Sequence, residues 1–219
     1  MMRGAVRALI PAAVAALALA GCSSSSGGGD GADPGKNGDS APSKAAGSTA
    51  GNAAVAKGVT LGGAGSPCEL PVTFDLAADW KPQAVTVEPG SDLAALGEQG
   101  PVTMVCEVDA KPAGNIGYLR VWQGKASGDT PRAVLEAFVK ADPNAGEATY
   151  TEAEAGPLPA AEVGYTVSGE LLDEPKTEHA FAVTTPEGPV VVHLGGLDSQ
   201  EHQEMLPAYE LAKKTLKLG

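Results

Sequence analysis

The stretch HAFAVTTPEGPVVVHL, residues 179–194, decides the fold class of this chain. Two apolar runs, 179–185 and 190–194, flank Pro186-Glu187-Gly188, where the fixed proline φ and the permissive glycine suit a tight turn. The pair reads as a hairpin, which makes its strands antiparallel. In the first run His179, Phe181 and Val183 share one face. The second run is apolar on both faces, as a strand must be when layers cover it above and below. It is expected at the centre of the sheet.

Outward from the hairpin the same periods continue. In 163–171, Val163, Tyr165, Val167 and Leu171 oppose Glu162, Thr166, Ser168 and Glu170, a strand with one wet face, and 148–154 reads as the strand before it. Upstream the period changes. Val134, Leu135, Phe138 and Val139 recur at helical spacing, with Arg132, Glu136 and Lys140 opposite them. Thr130 suits the cap of this helix, Pro131 its first position and Asp142-Pro143 its stop. Before it, 70–76, 84–87, 102–108 and 116–123 read as strands, the third with Val102, Met104, Cys106 and Val108 on one face. The C-terminus is helical, with Met205, Tyr209, Ala212 and Leu216 on one face and Lys213, Lys214 and Lys217 near the negative end of the dipole. Pro207 belongs in its first turn or at a kink. Four strands, a helix, four strands and a helix imply an α+β domain: an antiparallel sheet of seven or eight strands covered by two main helices.

The N-terminus has a different purpose. Arg3 and Arg7 precede a mostly apolar run, 8–20, too short for the roughly 20 residues a membrane helix needs. The run ends in Leu19-Ala20-Gly21-Cys22, which resembles the lipobox of bacterial lipoprotein precursors in all four positions. That resemblance implies that residues 1–21 are a cleaved signal peptide and that Cys22 becomes a lipidated first residue. Two or three acyl chains, at about 0.8 kcal/mol per buried methylene, hold a protein durably to a membrane. The expected location is the cell membrane, lipid-anchored, on its extracytoplasmic face.

From residue 23 to 58, 24 of 36 residues are Gly, Ala or Ser and none is aromatic, so 22–58 reads as the lipidated cysteine followed by a disordered linker. As a flexible chain it reaches roughly 30–36 Å. The nine aromatic residues all lie at Phe74 or beyond, which assigns 59–219 to a single folded domain. Residues 58–219 carry 24 Asp and Glu against 10 Lys and Arg. So acidic a surface repels nucleic acid, which is excluded as a partner.

With Cys22 acylated, Cys68 and Cys106 remain, the number that pairs, and outside the cytoplasm a disulfide between them is expected. His179 shares its face with apolar residues and His193 lies inside an apolar run, so both are expected to be buried or half-buried, bonded imidazoles. His202 falls in Asp198-Ser199-Gln200-Glu201-His202-Gln203-Glu204, which reads as a solvated first turn with Asp198 and Glu201 as a capping pair. A metal site on His202, Glu201 or Glu204 competes with that reading as the minor account. The sequence has no GxSxG, SxxK or HExxH pattern. No metal, cofactor or catalytic residue is therefore expected.

The element order, Trp80 after an early strand and the closing Pro207-Ala208-Tyr209-Glu210-Leu211 helix resemble the small actinobacterial lipoprotein domains of Mog1/PsbP-like fold, including the LpqN-type lipoproteins. The resemblance covers 68–219 and implies a fold more than an activity. The expectation is a non-enzymatic binding or accessory domain for a protein, cell-wall or small-molecule ligand. The rival is an envelope hydrolase with a noncontiguous site around His193 or His179.

Overall fold

The computed structural model describes residues 55–87, 90, 94–169, 172 and 174–219. The expected signal segment, Cys22 and nearly all of the expected linker lie outside the described residues.

Strands β1 (Lys57–Leu61) and β2 (Val72–Ala77) pair with the C-terminal β11 (Lys217–Leu218) in a small sheet of order β1-β2-β11. The main sheet has eight strands: β3 (Lys81–Ala84), β4 (Glu98–Gln99), β5 (Val102–Asp109), β6 (Gly117–Gly124), β7 (Ala145–Ala155), β8 (Leu158–Val167), β9 (Lys176–Thr185) and β10 (Gly188–Gly196). Its order is β3-β5-β6-β10-β9-β8-β7, with β4 pairing β5, and the pairings are antiparallel. The 179–194 stretch forms the hairpin β9–β10, closed by Thr185 opposite Gly188, and β10 lies between β6 and β9 at the centre. Helices α1 (Ala94–Gly97), α2 (Pro131–Ala141) and α3 (Ser199–Thr215) complete the elements used below.

Alternation along the strands divides the core into two layers. Leu119, Val121, Phe181, Val183, Val190, Val192 and Leu194 face α3 and the small sheet, where Phe74, Leu76, Met205 and Tyr209 meet them. On the other face Trp122, Val163, Ala180, Ala182 and Val191 meet the apolar stripe Val134, Leu135, Phe138 and Val139 of α2. Thr130 caps α2 by accepting from the Ala133 amide, and Pro131 occupies its first turn. A disulfide joins Cys68 to Cys106 with a Cα–Cα distance of 5.9 Å, so the loop after β1 is bonded to β5 of the main sheet.

Several boundaries differ from the pattern reading. Backbone pairing carries strands past the end of their apolar signal: β7 starts at Ala145 and β8 at Leu158, with Pro159 opposite Glu154 in their hairpin. The turn there is Gly156, with φ of +54° and a position where a Cβ would strike the Leu216 carbonyl. Glu170 and Leu171, the expected end of that strand, are outside the described residues. The second strand is Lys81–Ala84 and not 84–87, although the Val85 amide still donates to Val105 O. The strands β1 and β11 carry too few alternating residues to be legible, and β1 takes in Lys57 and Gly58 of the linker composition. Pro207 lies well inside α3, beyond its first turn.

Candidate functional site

The β8, β9 and β10 strands bring Tyr165, Glu178 and His193 together on the α2 face. Tyr165 lies directly opposite Glu178, while His193 pairs with Ala180, one residue pair further along, so the imidazole meets Glu178 diagonally. Glu178 Oε2 accepts from Tyr165 OH at 3.1 Å and contacts His193 Nε2 at 2.8 Å; its Oε1 receives Lys176 Nζ at 2.8 Å. Lys176 Nζ also donates to Gly196 O at 2.9 Å, which fixes it to the end of β10. Burial opposes ionisation of Glu178, yet His193 and Lys176 together hold its carboxyl well below the usual range. Burial and the neighbouring Glu178 push the Tyr165 phenol far above its ordinary value, so it remains a neutral donor.

An ionised carboxylate only accepts hydrogen bonds, so the proton of the His193–Glu178 contact belongs to Nε2. His193 Nδ1 is then the open ring position, and it is buried with no hydrogen-bond partner among the described residues. Trp122 Nε1, on the neighbouring strand β6, is in the same condition. Both residues line one cavity of about 420 Å³ beside α2, as do Tyr165 and Glu178. Met104 and Leu96 add apolar surface to it, and Arg120, Gln99 and Asp142 add polar groups. Arg120 donates through Nε to Glu107 at 2.8 Å and lies over the Tyr118 ring. Gln99 donates to Phe138 O at 3.1 Å near the end of α2. A more open cleft of about 510 Å³ lies on the opposite face of β5 and β6, but none of its polar lining residues is buried.

His179 and His193 are not brought together. They lie on adjacent strands with His179 opposite Leu194, and alternation turns them to opposite faces. His179 faces α3, with its Nε2 over Gly164, where a Cβ would approach to 3.1 Å. His202, expected in solvent, is fully buried: α3 turns it inward onto His179, and their Nδ1 and Nε2 atoms are 2.6 Å apart. The expected capping pair is also corrected. Asp198 alone caps α3, accepting from the Gln200 and Glu201 amides, while Glu201 Oε2 turns away to the Ile116 amide at 3.1 Å. Glu204 contacts Gln200, so the residues of the minor metal account diverge. No group of three or more His, Cys, Asp or Glu among the described residues is placed to hold a metal ion.

Sequence reading missed Glu178, Arg120 and Trp122. The available signal was register: Glu178 stands two residues before Ala180 on the face that Tyr165 and His193 share. Because the Tyr165 hydroxyl contributes one hydrogen bond to a saturated carboxylate, Tyr165→Phe is expected to lower stability by about 1 kcal/mol in urea denaturation.

The model of a protein family described as uncharacterised lipoprotein matches residues 38–216. The chain belongs to that family. This lipoprotein also has a likeness among solved structures to LpqN of Mycobacterium tuberculosis, a protein described as involved in cell envelope biogenesis. The likeness has 16% identity and a TM-score of 0.44, over 71% of this chain and 87% of that one. No curated protein matches the lipoprotein. Among its described residues no helix is long and apolar enough to cross a membrane.

Proposed function

We propose that this lipoprotein is anchored by lipid on Cys22 to the outer side of the cell membrane, and that its domain binds a small ligand in the cavity beside α2 without chemistry of its own. The cavity, walled by Trp122 and by the buried Tyr165–Glu178–His193 cluster, carries this reading. Tyr165, Glu178 and His193 of the wall are bonded to one another, which suits a preformed site. Among the described residues its lining side chains include no serine, threonine or cysteine.

Native mass spectrometry of the protein isolated with its envelope is expected to show a bound small molecule, lost when Met104→Trp fills the cavity. The hydrolase reading has the His193–Glu178 pair in its favour, and His193→Gln separates the two. The binding reading expects this variant to lose about 1–3 kcal/mol of stability and, since His193 lines the cavity, to hold the ligand more weakly but still detectably below the lowered transition. A folded His193→Gln domain that has lost a measurable turnover would establish the hydrolase instead.

Anchoring has its own test. Cys22→Ser is expected to abolish incorporation of an acyl analogue and to leave the precursor unprocessed or the protein released from membranes. Persistent labelling of that variant overturns the assignment of Cys22.

A further inference from the structure

We propose that the stacked rings of His179 and His202 form an acid-operated latch between α3 and the sheet: when both rings are protonated they separate, and the first turns of α3 come free.

The geometry leaves room for one hydrogen only. The rings lie nearly parallel, with centroids 4.8 Å apart and an interplanar angle of 16°, and His179 Nδ1 faces His202 Nε2 at 2.6 Å. In the neutral pair one nitrogen donates and the other accepts. With both rings charged, two N–H groups point at each other and the contact is repulsive. His202 has no exposed surface, and its Nδ1 is buried without a partner among the described residues, so a charge there is not solvated.

The attachment of the helix start depends on this contact. The buried residues of α3 are His202, Met205, Ala208, Tyr209 and Ala212, so before Met205 only His202 is packed inward. The first turn is otherwise held by polar contacts, Ser199 Oγ accepting from the Thr177 amide and Glu201 Oε2 from the Ile116 amide, each at 3.1 Å. The later turns have separate anchors, with Tyr209 OH and Lys213 Nζ both bonded to Glu162 at 2.8 Å. Release can thus stop short of unfolding the helix.

The charged neighbours sharpen the response. Burial lowers the affinity of His179 for a proton; Glu162 on β8 and Glu210 on α3 act against that, while Lys213 and His193 add to it. Burial lowers the value for His202 to about 4, and His179, His193 and Lys176 reinforce the shift against Glu178. Since the folded values lie below the ordinary 6.5, the unfolded chain binds more protons as the medium acidifies. The contribution of the pair is complete above about pH 6.5 and is lost as pH falls from there towards 4.

Hydrogen exchange of the folded chain, corrected for intrinsic rate and read beside the titration of the histidine ring protons, tests the latch. From pH 7.5 to 4.5, amides 201–206 are expected to lose protection on the order of tenfold relative to those of β10, with a midpoint that follows the ring protons. His179→Phe/His202→Phe, or His202→Gln should the double variant fail to fold, is expected to abolish the pH dependence. The same loss persisting in these variants assigns it to carboxylates such as Glu201 and Glu162 and overturns the latch. Unchanged protection in the wild type while the two histidines titrate overturns it as well.

Discussion

Glu178→Ala is expected to lower the stability of the domain by about 3–5 kcal/mol, the range for removing one partner of a buried charged pair. The carboxylate is buried and receives three donors, Tyr165 OH, His193 Nε2 and Lys176 Nζ, all of which lose this acceptor together, while Lys176 keeps another, Gly196 O. Glu178→Gln keeps the shape and one acceptor oxygen, so a loss of about 1–3 kcal/mol is expected from urea denaturation. The effect depends on pH. The carboxyl lies below its ordinary range when folded, so its contribution is present at neutral pH and is lost as the solution is acidified through the ordinary range and below. Wild type and Glu178→Ala are therefore expected to converge in stability at low pH. In a double-mutant cycle, Glu178→Ala with His193→Gln should cost less than the two single losses combined, because each single change leaves the other group stranded. Additive losses would show that the two residues do not interact.

Cys68→Ala/Cys106→Ala is the second large change. The bond joins residues 38 positions apart, and in the chain-entropy account a loop of that size contributes about 4 kcal/mol. Cys106 is fully buried in the layer that also holds Phe74 and Leu76, so the loss includes the contact between the small sheet and β5. A fall in urea midpoint of that size is the expected result, with two free thiols appearing in the wild type only after reduction. Wild-type protein that already shows both thiols when denatured without reductant refutes the bond.

The legible parts of this fold are those where one short period dominates. The stripe Val134, Leu135, Phe138 and Val139 identified α2 together with its Thr130 cap, and the doubly apolar run 190–194 identified β10 as central, because burial on both faces leaves no polar residue to mark a side. Alternation set in too late for β7 and β8, since pairing there begins at Ala145 and at Leu158 and runs through exposed Pro159, whose backbone pairing is independent of hydropathy. His202 was misplaced for a similar reason. Its neighbours Gln203 and Glu204 are polar and exposed, and a single inward residue in the first turn of a helix is too little for periodicity to detect. The cavity was illegible because Arg120, Trp122, Glu178 and His193 come from three strands whose register only the folded sheet fixes.

The disulfide also has a mechanical meaning. Any pull on the domain from its N-terminal side loads β1 first, an edge strand of five residues paired on one side only. Such a strand peels from β2 one hydrogen bond at a time. Peeling ends at Cys68, where the force passes through a covalent bond into Cys106 and the interior of the main sheet. The segment from Lys57 to Cys68 can then be drawn out to a total length of about 40 Å, at roughly 3.3–3.6 Å per residue, before the strands around the cavity carry any load. The small sheet acts as a yielding coupling, and the cystine as its stop.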